Sequence, residues 1–253
     1  MKVVAIIPAR YASSRFPGKP LASQTGKPLI QHVVERVLRA RRIDDCLVAT
    51  DDQRIADAVE SFGGCAVLTR DDHQSGTDRI AEAVEALGGE PDDIVLNVQG
   101  DEPEIEPDHL DRLVECLSQS SACAMATLAC PFPADVDPAD PNCVKVVIDD
   151  AGRALYFSRA PLPYVRASGT QADARRLLHL GVYAYRRDFL LQFARWESGA
   201  LERVEQLEQL RALERGCAIA VRIVERACVG IDTPREYKQF VARQLAADAG
   251  IGE

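Results

Sequence analysis

A doubly wound α/β fold on a mostly parallel sheet is what this sequence predicts, and three observations carry it. Short apolar runs alternate with helix-spaced segments through the first half of the chain. Two of the runs, Val3 to Ile7 and Ile94 to Val98, are apolar on nearly every position, as strands covered on both faces must be. Charged and polar clusters follow the runs, where open α/β sheets bind their ligands.

The first run, Val3 to Ile7, ends at Pro8. The following loop holds Arg10, Arg15 and Lys19 within ten positions. Ala9, Ala12, Ser13, Ser14 and Gly18 let a ligand approach its backbone, and Pro17 and Pro20 stiffen it. A buried strand feeding a cationic loop suits a polyphosphate. Ordinary solvated arginines suit the same composition equally well. Neither the lysine-terminated phosphate-loop signature nor the dinucleotide glycine fingerprint is present.

Leu29, Ile30, Val33, Val34, Val37 and Leu38 then fall at helical spacing, with Pro28 suited to the first turn. Cys46 to Thr50 reads as a strand ending in Asp51-Asp52, and Ile55, Ala58, Val59 and Phe62 as a helix stopped by Gly63-Gly64. Cys65 to Leu68 is the third strand. The loop Arg70 to Gly76 opens a helix bearing Ile80, Val84 and Leu87. Ile94 to Val98 is the central strand, running into Gln99-Gly100-Asp101-Glu102-Pro103, and Leu110, Leu113, Val114 and Leu117 mark the next helix.

The second half changes character. Ala124 to Ala129, Val144 to Ile148, Ala154 to Phe157, the alternating Leu180 to Tyr185 and Ala218 to Val224 read as strands. Leu201 to Arg215 reads as one helix with an apolar stripe of Val204, Leu207, Leu210 and Leu213. Arg166 to Arg176 has loop composition, and Tyr237, Phe240, Val241 and Leu245 put an apolar face on a closing helix. The expected organisation is one α/β domain over 1–253, with 131–216 as a mixed α+β insertion.

At 253 residues, 47% apolar and 27% charged, the chain suits a globular protein. A net charge of −9 argues against a general nucleic-acid binder. No apolar run is long enough to span a bilayer and no signal pattern opens the chain, so a cytoplasmic location is expected. Eight scattered cysteines, none in a C-x-x-C pair, read as small buried hydrophobes rather than zinc ligands or disulfides.

Several groups can carry chemistry. Asp101 follows an apolar strand and suits magnesium, which prefers hard oxygens with phosphate; a turn aspartate before Pro103 fits as well. Asp232 follows strand-like residues and Gly230, but Thr233-Pro234 behind it also suit a helix N-cap. Two such aspartates at one sheet edge would clamp a metal for displacement at phosphorus. Ser75 or Thr77 can cap the helix after His73-Gln74, or bond a base or ribose. His179, Gly181, Tyr183 and Tyr185 share one strand face, which suits either a sugar or solvent. Glu208 and Gln209 lie on the predicted helix, and Arg159 can pair with a carboxylate ligand.

The string from Ile6 to Pro20 closely resembles the N-terminal signature of the 3-deoxy-manno-octulosonate (KDO) cytidylyltransferases, also called CMP-KDO synthetases. Further matching strings follow in order, among them Asp72-His73-Gln74-Ser75-Gly76-Thr77, Asn97-Val98-Gln99-Gly100-Asp101-Glu102-Pro103, Ala154 to Arg159, His179 to Tyr183, Leu207 to Arg211 and Asp232-Thr233-Pro234. The resemblance implies a nucleotide-diphospho-sugar transferase-like fold and the reaction of CTP with KDO to give CMP-KDO and pyrophosphate, feeding lipopolysaccharide biosynthesis. It places Arg10, Arg15 and Lys19 on the triphosphate, with Pro8, Ala9, Ser75, Gly76 and Thr77 around CTP. It gives Asp101 and Asp232 to Mg2+, and Gln99, Arg159, His179, Tyr183, Glu208 and Gln209 to the acidic sugar. The catalytic set so implied is Arg10, Lys19, Asp101 and Asp232, and the family is homodimeric, with the insertion as the expected interface. Leu178 in place of a frequent arginine and Ala227-Cys228-Val229 before Asp232 depart from the pattern. A different 2-keto acidic sugar, or a non-catalytic nucleotide-binding role, are the rival readings.

Overall fold

The structure, a computed structural model, describes residues 1–12, 15–134, 136–166, 176–248 and 250. The chain forms two compact units, Met1–Asp111 with Cys228–Glu253, and Arg112–Ala227. The second unit is wider than the 131–216 stretch expected as an insertion.

In the first unit, β1 (Val3–Ala9), α1 (Leu29–Val37), β2 (Asp45–Thr50), α2 (Gln53–Ser61), β3 (Cys65–Leu68), α3 (Gly76–Leu87) and β4 (Ile94–Asn97) alternate as the periodicity predicts. The strands lie in the order β3-β2-β1-β4, and all of these pairs are parallel. Ala5, Ile6 and Ile7 of β1 are fully buried, as are Ile94 and Leu96 of β4. Leu29, Ile30, Val33, Val34 and Val37 of α1 are all buried, each contributing about 1.5–3 kcal/mol of gross burial. Because the strands are parallel, the loops after β1 and β4 emerge at one sheet edge, and α3 begins beyond the same end of β3.

α4 (Pro107–Gln119) carries the chain into the second unit. There β5 (Met125–Pro131), β6 (Lys145–Ile148), β7 (Ala154–Ser158), β8 (Leu177–Arg186), α5 (Arg187–Ala194), α6 (Ala200–Glu205), α7 (Leu210–Glu214) and β9 (Ile219–Ile223) follow. β5 runs antiparallel to β8 and parallel to β9, while β6 runs antiparallel to β7 and β8. These pairings put β5 with the second unit, although most of it precedes residue 131. The helix expected over 201–215 is two short helices. Gln206 between them adopts φ 53°, a left-handed conformation that ends α6 and leaves Val204 83% exposed instead of on a buried stripe. Residues 167–175 of the expected loop lie outside the described residues.

The chain returns to the first unit as α8 (Pro234–Asp248). Tyr237 and Phe240 pack with Leu29 and Ile231, whereas Leu245, expected on the same face, is exposed. Cys46, Cys123 and Cys130 are buried as expected, and burial pushes the Cys46 and Cys130 thiols up to about 12 and about 11. Cys65, on β3, is exposed against expectation. Among the described residues, no helix is long and apolar enough to cross a membrane.

Candidate active site

A cavity of about 270 Å³ opens at this sheet edge of the first unit. Pro8, Ala9, Arg10, Arg15, Lys19, Ser75, Gly76, Asp101 and Asp232 line it, and so does Gln99, which the resemblance gave to the sugar. Thr77 does not line it; the residue is buried in the first turn of α3. Pro20, His73, Gln74, Arg79 and Gly100 also line it, and none of them was given a ligand-binding role from the sequence.

Local chemistry explains how the chain delivers these groups. Gly18 sits at φ 69° and its N–H donates to the Tyr11 carbonyl at 3.0 Å, closing the cationic loop. A side chain there would combine backbone strain with a 3.1 Å contact to the Tyr11 ring. Gly100 lets the chain after β4 pass β1, since a Cβ would lie 3.0 Å from the Pro8 carbonyl oxygen. Ser75 is the cap of α3: its hydroxyl accepts from the Asp78 N–H, and the Asp78 carboxylate accepts from the Ser75 N–H. The N–H groups of the helix start point beyond the end of the sheet and suit an anion.

The pair Asp51-Asp52 serves the scaffold rather than a ligand. Asp51 accepts from buried Arg79 at 2.7 Å, and Arg79 also donates to Thr69 Oγ1. Asp52 caps α2 and pairs with Arg54, whose guanidinium lies 3.5 Å over the Tyr11 ring.

The charged centre of the cavity is Lys19. Its Nζ donates to Asp101 Oδ2 at 2.8 Å and to the Ile231 carbonyl at 2.7 Å, and lies 3.8 Å from Asp232 Oδ1. Arg15 Nη2 donates to the same Asp232 oxygen at 3.0 Å. The two carboxylates therefore converge on one cation. Asp232 does not end a strand: it follows a loop whose Ile231 N–H donates to the Asp101 carbonyl at 2.8 Å. Nor does it cap α8. Thr233 and Glu236 do that, with the Glu236 carboxylate accepting from the Asp232 and Thr233 N–H groups at 2.8 Å. Two hard carboxylate oxygens on one cation-sized point fit magnesium by their chemistry, with Lys19 as the stand-in ion. Burial, and then the Asp101 charge, push the neighbouring Glu102 carboxyl up to about 8.

The second unit gathers its own polar set. Thr127 Oγ1 lies 2.8 Å from the Val182 carbonyl and 3.0 Å from His179 Nε2. A carbonyl can only accept, so the hydroxyl proton goes there and His179 Nε2 must carry the hydrogen toward Thr127. The His179 ring stands edge-on to Phe157 at 4.9 Å and 5.5 Å from the Tyr183 ring. This strand face is thus mostly buried rather than solvated. Burial pushes the Tyr183 hydroxyl up, with Glu208 adding to the effect. Gln209 is 3% exposed, and its Nε2 has no hydrogen-bond partner among the described residues. Such a buried amide calls for an acceptor from elsewhere.

Arg159 differs from expectation. Its Nε, Nη1 and Nη2 donate to the carbonyls of Glu205, Pro141 and Gln206 at 2.7, 2.7 and 3.1 Å. In this arrangement it braces main chain instead of standing open to a carboxylate.

Burial alone drives the His179 pKa down to about 3, so the ring is neutral at physiological pH. Its folded pKa lies below the unfolded value near 6.5, so the unfolded chain binds more protons between them. Stability is full above about pH 6.5 and falls by about 1.4 kcal/mol per pH unit toward pH 3. We expect His179→Gln to flatten this acid limb in denaturant titrations run from pH 7 to pH 4. An unchanged slope would assign the limb to other groups.

A parallel sheet, a cationic loop after its first strand and paired aspartates beside a helix start define a nucleotidyltransferase. Comparison with known proteins narrows the class. The family described as Cytidylyltransferase matches residues 4–223. A 3-deoxy-manno-octulosonate cytidylyltransferase of Syntrophobacter fumaroxidans is 53% identical over 249 residues, covering 98% of this chain and 99% of that one. One of Geobacter sulfurreducens is 48% identical over 251 residues, covering 96% and 99%. A solved structure of CMP:2-keto-3-deoxy-manno-octonic acid synthetase complexed with CTP matches with a TM-score of 0.91 at 43% identity, over 98% of this chain and 100% of that chain. A 4-diphosphocytidyl-2C-methyl-D-erythritol synthase, at TM-score 0.61 and 14% identity, shares the fold alone. The chain belongs to the 3-deoxy-manno-octulosonate cytidylyltransferase family.

Proposed function

We propose that this protein activates KDO with CTP, giving CMP-KDO and pyrophosphate. The observation that carries the reading is the convergence of Asp101 and Asp232 on Lys19 in a cavity edged by the start of α3. The anomeric oxygen of the sugar attacks the α-phosphorus in line; the bond from that phosphorus to the bridging oxygen of pyrophosphate breaks. No side-chain nucleophile is required, because positioning and charge neutralisation lower the barrier. Arg10, Arg15 and Lys19 neutralise the phosphates and the departing pyrophosphate. Pro8, Ala9, Ser75 and Gly76 form the wall for the nucleoside. Asp101 and Asp232 would hold magnesium, which when bound would supply further charge neutralisation at phosphate oxygens and lower the pKa of the attacking hydroxyl.

In the second unit, the buried and unpartnered Gln209 amide supports an acceptor subsite with Tyr183, Glu208 and His179. His179, being neutral, serves there as a hydrogen-bonding group and not as a countercharge. We further propose a homodimer formed through the second unit, a cytoplasmic location, and a product that enters lipopolysaccharide biosynthesis.

Pyrophosphate release measured with CTP against a panel of acidic sugars tests the reaction. KDO should be the preferred acceptor and release should require a divalent cation; preference for a nine-carbon sialic acid would overturn the acceptor assignment. Glu208→Ala should raise KM for KDO by about ten- to a hundredfold, as one or two unpaired buried groups cost about 1–3 kcal/mol each. Calorimetric CTP affinity should stay within about twofold. An unchanged KM for KDO in the folded variant would remove Glu208 from the subsite.

A further inference from the structure

We infer that Lys19 occupies the metal position of the free protein, so that metal and nucleotide enter as a coupled pair. This rests on the reading that Asp101 and Asp232 hold magnesium. The Lys19 ammonium takes the donor set a hard cation would need: the Asp101 carboxylate at 2.8 Å, the Ile231 carbonyl at 2.7 Å and the Asp232 carboxylate at 3.8 Å. The side chain is only 12% exposed, so water screens it little. A divalent ion drawn to those same oxygens would meet a cation already among them. One of the two must leave.

The geometry says which can move. The Lys19 backbone is fixed, with left-handed Gly18 before it, buried Pro20 after it, and its own N–H donating to the Phe16 carbonyl. The four-carbon stem, however, can swing its ammonium. Within the same cavity, a bound triphosphate would offer new anionic acceptors beside Arg10 and the start of α3. Nucleotide therefore draws the ammonium off the aspartates and leaves them to the metal. Metal in turn frees the ammonium for the phosphates. Each ligand favours the same displaced lysine, so the coupling is positive and reciprocal. Arg15, 62% exposed and paired with Asp232 by one contact, is a weaker competitor for the same carboxylate.

The test uses Mn2+ as the probe, followed by electron paramagnetic resonance at fixed ionic strength, with α,β-methylene-CTP as a nucleotide that cannot turn over. Without nucleotide, Lys19→Met should bind Mn2+ on the order of tenfold more tightly than the wild type. Arg10→Met removes the same charge from the cavity wall and should change Mn2+ affinity less than about twofold. The nucleotide analogue should tighten Mn2+ binding to the wild type on the order of tenfold, and clearly less in Lys19→Met. Lys19→Gln, which keeps a donor for the Ile231 carbonyl, serves with the same expectation if Lys19→Met does not fold. The inference is overturned if both lysine variants bind Mn2+ no better than the wild type, if Arg10→Met gains as much as they do, or if the analogue leaves wild-type affinity unchanged. Asp101→Asn separates the underlying reading. If Mn2+ binding with the analogue is abolished by Asp101→Asn but indifferent to Lys19, the metal site stands and the inference fails; if it survives Asp101→Asn at full strength, the two-aspartate site itself is wrong.

Discussion

Asp101→Asn should lower turnover about a thousandfold while leaving the fold intact. The removed charge touches two parts of the proposed chemistry. It is one of the two carboxylates on the metal position, and it is the nearest partner of Lys19, at 2.8 Å. Losing one preorganised electrostatic group at a reacting phosphate or acyl centre costs about 10²–10³ in rate; here both the metal and the lysine lose their anchor, which puts the effect at the upper end. Stability should fall by only about 1 kcal/mol, because water reaches the Asp101 end of the pair, 32% exposed, even though Lys19 is 12% exposed. The ammonium also keeps the Ile231 carbonyl. Single-turnover pyrophosphate release and a thermal melt on one preparation separate the two effects. Near-normal turnover with a collapsed melting temperature would make Asp101 a structural partner of Lys19 and remove it from the chemistry.

Much of the first unit was legible because its signals are local. Strands covered on both faces leave unbroken apolar runs, and α1 announces itself by the spacing of five buried residues. The capping box of α3 can be read as Ser75-x-x-Asp78, and the left-handed turn before Lys19 as a glycine between prolines. What sequence could not give are contacts made across the chain by main-chain atoms. Asp232 reaches Lys19 because Ile231 docks on the Asp101 carbonyl, a bond no residue type encodes. Arg159 carries the same side chain whether its partners are carbonyls or a ligand carboxylate. Nothing in the sequence marks Arg79 as buried, yet it is buried and ties α3 to Asp51. The split at Gln206 escaped because glutamine carries no turn signal. The break is imposed by what surrounds it: the Gln206 carbonyl accepts from Arg159, and a buried ion pair ties α6 to α7.

That ion pair makes Arg211→Ala the most destabilising single change expected in the second unit. Arg211 is 7% exposed and Glu202 8%. The guanidinium donates to both Glu202 oxygens, at 2.8 and 2.5 Å, and also to the carbonyls of Phe193 and Trp196 at 3.3 Å. It lies 4.8 Å over the Phe193 ring and 3.5 Å from Glu208. Removing it strands a carboxylate in a dry site, which costs about 3–5 kcal/mol. In the intact protein burial pushes the Glu202 carboxyl up, but the hydrogen bond and charge of Arg211 outweigh it and hold the group below its usual range. A depressed carboxyl contributes stability above its unfolded pKa and loses it as pH falls through the folded value. Without Arg211 the balance reverses, burial raises the pKa, and the variant gains stability relative to the wild type as Glu202 takes up its proton. Denaturant titrations at pH 7.5 and pH 4.5 should therefore show a deficit that shrinks in acid. Glu202→Leu combined with Arg211→Leu should recover much of the loss at neutral pH, since apolar replacements of similar volume leave no buried charge behind. Glu208 loses a partner at the same time, so Arg211→Ala should raise KM for KDO more than KM for CTP. A deficit that ignores pH and persists in the double variant would assign the cost to lost packing on Phe193 instead of to the stranded carboxylate.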